Sequence, residues 1–296
     1  MIGQRITDFL QYLRFEKRYA QHTRTAYETD LFQFQQYIKA QFDIDAVADI
    51  SHFHIRSWLA TFKDEGLAAR SINRKLSGLN SFYKYLLRLG VVEKNPVKQL
   101  HALRLPDRLP MYLKEREMQN LLEEITFEEG FKGATDRLIC EMLYRLGIRR
   151  SELINIKEND IEWSLKQLRV LGKGNKERLV PLSSEMLNTF RAYIQEKKSL
   201  PVDDTHHLLV LETGRPLYES YVYRVVKHYL SQVTTLSKRS PHILRHTFAT
   251  HLLNNGANIQ AIKELLGHSS LAATQVYTHN NIDKLKEIHK LNHPRG

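Results

Sequence analysis

The chain has 296 residues, of which 44 are lysine or arginine and 33 are aspartate or glutamate, giving a formal net charge of +11. Apolar side chains make up 42% of the sequence, which suffices for buried cores and excludes a disordered chain. The length favours two domains. A basic excess of this kind is typical of a polyanionic partner, most simply nucleic acid. On composition alone, a basic soluble enzyme without such a partner is the alternative.

The cysteine count and the hydropathy of the sequence indicate the cellular compartment of the protein. Cys140 is the single cysteine, which excludes a disulfide within the chain and a cysteine-based zinc site, and predicts a reducing cytosol. No apolar run reaches the roughly 18 residues that a membrane span needs. The first eleven residues lack the apolar core of a signal peptide. We therefore expect a soluble cytoplasmic protein that has no membrane association.

The first part of the chain, residues 1–103, is predicted to be a helical bundle. Thr23 and Ser51 are candidate N-caps because their side chains can accept a hydrogen bond from a helix N-terminus. The four predicted helices have apolar faces that recur with the helical period, and they cover 4–18, 23–42, 51–66 and 71–89.

The fourth of these helices has the strongest charge asymmetry in the chain. Residues 66–105 contain eight basic side chains and one acid, Glu93. One face is predicted to be buried and holds Ile72, Leu76, Leu79, Tyr83 and Leu86. The opposite face holds Ser77, Ser81 and four candidate DNA-binding residues, Arg70, Arg74, Lys84 and Arg88. The alternative for this face is an ordinary solvated helix surface.

Two prolines and three charges without helical period predict a linker over 104–110. The second domain, 111–296, is predicted to be mostly helical with one small antiparallel sheet. Its sheet comes from a hairpin of 167–171 and 178–182, joined by a Gly/Asn turn. The predicted helices cover 114–125, 134–146, 184–198, 219–236, 241–255, 258–266, 271–277 and 282–291.

Four short motifs in this domain carry residue types that suit phosphate chemistry. Their sequences are G-I-R-R-S-E-L (147–153), G-K-G-N-K-E-R (172–178), P-H-I-L-R-H (241–246), and L-G-H-S-S (266–270) followed by Q-V-Y-T-H (275–279). His242 and Arg245 share one face near a helix N-terminus, a favourable place for a phosphate. A zinc site at His242 and His246 lacks the glutamate of the zinc-protease motif. Taken singly, these motifs have ordinary alternatives. The first fits a surface arginine pair, the second an exposed turn, and the fourth a half-buried tyrosine.

Together, and in this order, the motifs resemble those of the tyrosine recombinase family, which includes the phage integrases. The resemblance extends over nearly the whole chain, since L-R-F-E-K-R-Y-A-Q-H-T (13–23) is similar to the SAM-like core-binding domain of the family. Length and the ending around His293 are most similar to the Xer subgroup, which resolves chromosome dimers. The XerC-like and XerD-like branches are both left open. The resemblance implies a C-shaped clamp of two domains around DNA.

The resemblance implies a role for the tyrosine and the arginines. Tyr277 is then the nucleophile, and Arg149 and Arg245 hold the scissile phosphate. Arg150 departs from the family pattern, where an apolar residue is common, so two adjacent arginines compete for one role. The frame G-x-R-x-S-E-L selects Arg149. Glu152 is then expected to orient or neutralise a neighbouring group.

The remaining implied catalytic residues act on protons and on the phosphate. Lys173, in the hairpin, protonates the leaving 5′ oxygen. His242 and His268 hydrogen-bond the phosphate, and His242 helps to move the proton of the nucleophile. Ser151 is a candidate cap of the helix that follows Arg149.

The residue types fit this chemistry without the family name. Attack on a phosphodiester builds negative charge, and guanidinium groups offer paired donors that keep their charge. A tyrosine nucleophile conserves the bond energy as phosphotyrosine, so a hydroxyl on another strand can reverse the step. We therefore expect no cofactor, no metal and no ATP.

Two other functions and several partners stay open at this point. A type IB-like topoisomerase has the same nucleophile and clamp but relaxes supercoils as a monomer. A DNA-binding protein with a dead active site has no need of Lys173 or Tyr277. The Xer resemblance implies duplex DNA with a specific site, a tetramer on two sites with itself or a related recombinase, and a septal DNA translocase. The helix over 282–291 is expected to dock on a neighbouring subunit or on its own domain.

Overall fold

The computed structural model describes residues 1–105, 111–172, 175–201, 206–267 and 291–294. Most of the predicted linker, the tip of the predicted hairpin and the helices predicted over 271–277 and 282–291 lie outside these residues, apart from residue 291. The chain divides into two compact units, Met1–Arg108 and Leu109–Gly296. None of the described helices is long and apolar enough to cross a membrane.

The first unit consists of four α-helices and two short 3₁₀ turns, Val47–Asp49 and Pro96–Gln99. Its core is aromatic at the centre, where Phe34 packs edge-on against Trp58 with ring centroids 5.0 Å apart. The helices are α1 (Ile2–Phe15), α2 (Gln21–Phe42), α3 (His52–Asp64) and α4 (Ala69–Arg88).

The predicted caps of this bundle have different outcomes. Ser51 is the N-cap of α3, as predicted. The prediction for Thr23 was wrong, because the N-cap of α2 is Ala20. The carbonyl of Ala20 already accepts hydrogen bonds from the backbone N–H groups of Thr23 and Arg24, at 3.0 and 3.1 Å. The helix therefore begins three residues earlier, and Thr23 lies in its first turn.

Helix α4 confirms the predicted division into an apolar and a basic face. The five residues predicted to be buried are buried, and the side chains of Arg70, Arg74, Lys84 and Arg88 are exposed. Lys75 is an exception that the periodicity did not predict. It is buried beside Trp58 and Phe62, with its ammonium group 5.5 and 4.5 Å from their ring centroids.

The second unit is mainly helical and contains a three-stranded antiparallel sheet in the order β1-β2-β3. The strands are β1 (Ile161–Glu162), β2 (Gln167–Leu171) and β3 (Glu177–Pro181), and β1 was not predicted. The helices are α5 (Glu115–Gln119), α6 (Phe131–Arg145), α7 (Arg150–Leu153), α8 (Ser184–Lys197), α9 (Glu219–Val233), α10 (Pro241–Asn254) and α11 (Ile259–Leu266).

Helix α6 lies at the centre of this unit, since eleven of its fifteen residues are buried. It contacts α8, α9 and α10, and together these helices enclose the core. Cys140 lies fully buried in α6, and burial raises the pKa of its thiol. The predicted fold class, mostly helical with a small antiparallel sheet, is confirmed.

Candidate active site

The turn after α6 delivers the first predicted site residue, Arg149. Gly147 has a φ of +56°, a conformation that glycine adopts without steric cost. A Cβ atom at this position would lie 2.4 Å from a ring carbon of Phe248 in α10. Gly147 therefore allows both the turn and the close approach of α10. The motif begins with glycine because no other residue meets both conditions.

Arg149 is the N-cap of the short helix α7, and the prediction that Ser151 caps it was wrong. The carbonyl of Arg149 accepts hydrogen bonds from the backbone N–H groups of Glu152 and Leu153, at 3.0 and 2.9 Å. The helix therefore begins at Arg150, and Ser151 lies inside its first turn. The Glu152 carboxylate in turn accepts the Arg149 backbone N–H at 2.7 Å. This reciprocal bond holds the two residues of the motif together.

Glu152 is the buried centre of the site, with its side chain 3% exposed. Its Oε1 accepts Nη1 of Arg149 at 2.6 Å. Arg178 binds both carboxylate oxygens, at 2.9 and 2.8 Å. Burial alone raises the pKa of Glu152, but the hydrogen bonds and charges of Arg178 and Arg149 outweigh it and lower the pKa to about 2. The prediction that Glu152 neutralises a neighbouring group is confirmed.

Arg245 reaches the same place from α10. Its guanidinium is buried and donates to the carbonyl oxygen of Gly147, in the turn after α6, and to that of Leu266, the last residue of α11. Its Nη1 lies 3.8 Å from Oε2 of Glu152. Burial and the nearby charge of Arg149 lower the pKa of Arg245 to about 9, so the group stays protonated at pH 7.

The neighbouring Arg150 points to a different partner and occupies a more exposed position. It is hydrogen-bonded to Glu219 at the start of α9, and its side chain is 33% exposed. Arg149 is therefore the member of the pair that belongs to the Glu152 cluster, in agreement with the motif frame. The ion pair between Arg150 and Glu219 links α7 to α9.

His242 lies in the first turn of α10, on the exposed side of the helix that carries Arg245. Partial burial, followed by the positive charges of Arg150, Arg245 and Arg149, lowers the pKa of His242 below its usual value. The imidazole is therefore neutral at pH 7 and able to accept a proton.

The structure thus brings together three of the six predicted catalytic residues, Arg149, His242 and Arg245. Lys173, His268 and Tyr277 lie outside the described residues. Described residues lie on both sides of Lys173, and the described residue Gly267 precedes His268. Gly172 precedes Lys173, and its N–H donates to Lys176 across the hairpin at 2.7 Å.

Arg178 is the site residue that sequence reasoning did not select. It belongs to β3, where Arg178 and Val180 are both buried and both point to one face of the strand. That alternation was the available signal, because an arginine on the buried face of a strand needs a partner in the interior. The partner, Glu152, is 26 residues earlier in the chain.

The candidate DNA-binding residues belong to the first unit, and two of them are held by contacts there. Arg74 pairs with Asp30 of α2 through both guanidinium Nη atoms, one of them at 3.1 Å, while its side chain is 51% exposed. Arg88 lies over the ring of Tyr12, with the guanidinium carbon 4.3 Å from the centroid.

The Glu152 cluster holds three guanidinium cations around one carboxylate, so two positive charges are left over for an anion. Guanidinium donors that are fixed in place before an anion arrives suit a charge that grows during a reaction. Within the described ranges, no group of three or more histidine, cysteine, aspartate or glutamate side chains is arranged to hold a metal ion.

Two family models match the chain. Residues 6–90 match the phage integrase N-terminal SAM-like domain, and residues 111–284 match the phage integrase family. The chain therefore belongs to the phage integrase family and is a site-specific tyrosine recombinase, an enzyme that cuts and rejoins DNA through a tyrosine nucleophile.

Three curated relatives, each described as tyrosine recombinase XerC, match almost the full chain. The chain is 37% identical to the protein of Halalkalibacterium halodurans, over 99% of this chain and 98% of the relative. It is 38% identical to that of Pelobacter propionicus, over 99% and 96%. It is 33% identical to that of Bacillus subtilis, over 97% and 95%. The resemblance to the Xer subgroup is confirmed.

Solved structures share the fold. A crystal structure of XerH recombinase bound to a palindromic difH substrate has a TM-score of 0.72 at 22% identity, over 90% of this chain and 78% of that one. The Tn1549 transposon integrase in complex with transposon right end DNA has a TM-score of 0.71 at 19% identity, over 97% and 98%.

Proposed function

We propose that this recombinase cuts duplex DNA at one specific site through a 3′-phosphotyrosyl link to Tyr277, and that it resolves chromosome dimers in the cytoplasm. The observation that carries the proposal is the convergence of Arg149 and Arg245 on the buried Glu152. The relatives described as XerC support the biological role, and the XerH structure with its difH substrate supports a defined recombination site.

In this proposal Arg149 and Arg245 bind the scissile phosphate. A guanidinium has five N–H donors, and the two backbone carbonyls that Arg245 contacts leave further donors for phosphate oxygens. The phosphodiester carries one negative charge, and a second develops as the nucleophile attacks. The two positive charges left over in the Glu152 cluster match that developed charge, so the site stabilises the transition state more than the ground state.

The reaction itself is an exchange of one ester for another. The Tyr277 oxygen forms a bond to phosphorus, the bond from phosphorus to the 5′ oxygen breaks, and Lys173 supplies the proton that the leaving oxygen takes up. The phenol has an ordinary pKa near 10, so its proton must leave during attack, and the neutral His242 can accept it. His268 hydrogen-bonds the phosphate. A 5′ hydroxyl of the other duplex then attacks the phosphorus, the bond from phosphorus to the Tyr277 oxygen breaks, and the tyrosine takes up a proton, which completes strand exchange.

The two units have separate tasks in this proposal. Residues 1–103 form the DNA-binding domain, joined by 104–110 to the catalytic domain 111–296. The basic face of α4 enters a groove and contacts phosphates, which makes binding strongly salt-dependent. A tetramer assembles on two DNA sites, with itself or with a related recombinase, and the helix over 282–291 docks between subunits. A septal DNA translocase is the further partner that a role in dimer resolution implies.

Covalent trapping tests the proposal. A nicked suicide duplex carrying an Xer-type site is incubated with the parent protein, with Tyr277→Phe and with the exposed control Tyr223→Phe, in the presence of a chelator. A denaturing gel then detects the protein–DNA adduct. We expect an adduct with the parent and with Tyr223→Phe, and none with Tyr277→Phe, which still binds the duplex.

An adduct that persists in Tyr277→Phe would show that the nucleophile lies elsewhere. A second assay mixes two differently labelled duplexes, each with a site. Ligation of one label to the other is expected of a recombinase, whereas relaxation of supercoils without such ligation would identify a topoisomerase.

A further inference from the structure

All three guanidinium nitrogens of Arg178 are hydrogen-bonded inside the protein. Its side chain is 4% exposed, and its Nε donates to the carbonyl of Leu265 at 2.8 Å. Its two Nη atoms are engaged with the two oxygens of Glu152 in a paired geometry. A guanidinium used in this way presents no face to a substrate.

The groups around Arg178 come from described segments next to three predicted catalytic residues, Arg149, Lys173 and His268. Glu152 is bonded to Arg149. Leu265 and Gly267 form the end of α11, immediately before His268. A Cβ atom at Gly267 would lie 3.1 Å from Cδ of Arg178, and one at Gly172, which precedes Lys173, would lie 3.6 Å from its Nη1.

Gly267 therefore has a packing reason beside Arg178, whereas a Cβ atom at Gly172 would make an ordinary van der Waals contact with the guanidinium. Gly267 has a φ of +63° and ends α11, so a side chain there is disfavoured by the backbone and by Arg178 together. The absence of a side chain at Gly267 lets the end of α11 close against the Arg178 side chain.

Arg178 also controls how strongly Glu152 attracts the other two arginines. Because Arg178 occupies both carboxylate oxygens, Arg245 is left 3.8 Å away, beyond hydrogen-bond distance, and keeps its contacts with backbone carbonyls. Without Arg178, the carboxylate would have only Arg149 and Arg245 as partners. It would then compete with a phosphate for the same donors.

We infer that Arg178 is a positioning residue for strand cleavage, which joins the hairpin, α7 and the end of α11 around the phosphate site and holds Glu152 away from Arg245. The inference rests on the proposed function, since the reaction it supports is phosphodiester cleavage by Tyr277. Arg178 acts through Glu152 and the backbone, and it does not contact DNA.

The test separates binding from chemistry. Arg178→Met keeps the length of the side chain and removes the charge, Arg178→Lys keeps the charge and loses the paired geometry, and Arg169→Met is the control, an exposed arginine on the neighbouring strand β2. For each variant, the Kd for the duplex and the single-turnover rate of adduct formation at saturating protein are measured. Circular dichroism establishes that the variants are folded.

We expect Arg178→Met to slow cleavage of bound DNA by about 100-fold, the cost of a small misplacement of reacting groups, while Kd stays close to that of the parent. Arg178→Lys recovers part of the rate, and Arg169→Met cleaves like the parent. The double variant Glu152→Gln/Arg178→Met cleaves faster than Arg178→Met, because the carboxylate that competes for Arg245 is gone.

Three results would overturn the inference. One is a cleavage rate of bound DNA that is unchanged in both Arg178 variants. Another is a loss confined to Kd. The third is a double variant no faster than Arg178→Met. If Arg178→Met does not fold, the comparison of Arg178→Lys with the parent still tests the first two of these results. Absence of an adduct with the parent protein contradicts the proposed function instead, so the two failures are distinguishable.

Discussion

Each unit of this protein contains a buried carboxylate that binds at least two cationic side chains, and these two clusters differ in what they leave at the surface. In the first unit, Asp30 holds Lys75 at 2.9 Å and also Arg74, which is half exposed. In the second unit, Glu152 holds Arg149 and Arg178, with Arg245 nearby and almost wholly buried. Both carboxylates are 4% exposed or less.

The origin of the cations explains the difference. Arg74 and Lys75 are adjacent residues of α4, so the Asp30 cluster joins two helices and supports one exposed arginine on the basic face of α4. The arginines around Glu152 come from three separate segments and also bind backbone carbonyls at the end of α11 and in the turn after α6. The first arrangement tolerates the movement of a side chain on a surface. The second fixes donors before a substrate arrives, which is what stabilisation of a transition state requires.

The comparison is tested most strongly by removing the Glu152 charge. Glu152→Gln leaves buried arginines without their counter-ion and is expected to lower the free energy of unfolding by about 3–5 kcal/mol at pH 7. Urea denaturation of the parent, of Glu152→Gln and of the exposed control Glu177→Gln measures the effect.

The pH dependence of this difference has a defined sign. The pKa of Glu152 is about 2 in the folded protein, below the value of about 4.3 for a free glutamate. The stabilisation is therefore complete above about pH 4.3 and is lost as the pH falls towards 2. The difference in the free energy of unfolding between the parent and Glu152→Gln is expected to be smaller at pH 3 than at pH 7. A difference independent of pH would show that the carboxylate charge is not the stabilising feature.

The second test asks whether Arg149 and its neighbour differ in function as they differ in contacts. Arg149→Lys is expected to slow adduct formation by about 10²- to 10³-fold, because an ammonium group cannot reproduce the paired donors. Arg150→Lys can still form an ion pair with Glu219 and is expected to cleave nearly as fast as the parent. Equal losses in the two variants would contradict the assignment of the phosphate role to Arg149.

The smallest of the three effects is expected in the first unit. Arg74→Ala should weaken binding of the specific duplex by about 1–3 kcal/mol, with the rate of cleavage of bound DNA unchanged. Arg56→Ala, an exposed arginine of α3, is the control. Binding measured over a range of salt concentrations, together with single-turnover cleavage, separates the two quantities. A slower cleavage rate in saturated Arg74→Ala would mean that the first unit also takes part in catalysis.

Features that depend on local pattern can be predicted from the amino-acid sequence. The apolar period of α4 predicts which of its faces is buried, because side chains three or four positions apart share a face of a helix. Pro241 marks the start of α10, since proline suits the first helical position. The order of the four motifs identified the family, and with it Arg149, His242 and Arg245.

Which charged residues are buried, and what they bind, depends on contacts between distant segments of the chain. Lys75 and Arg178 are buried because a carboxylate from another element meets them, and neither partner is close in sequence. Arg245 binds the carbonyl of Gly147, 98 positions earlier in the chain. A buried charge is stable only with a partner in place, and periodicity cannot predict a contact between distant segments. The phosphate site is therefore predicted residue by residue from its motifs, whereas the support beneath it comes from the fold.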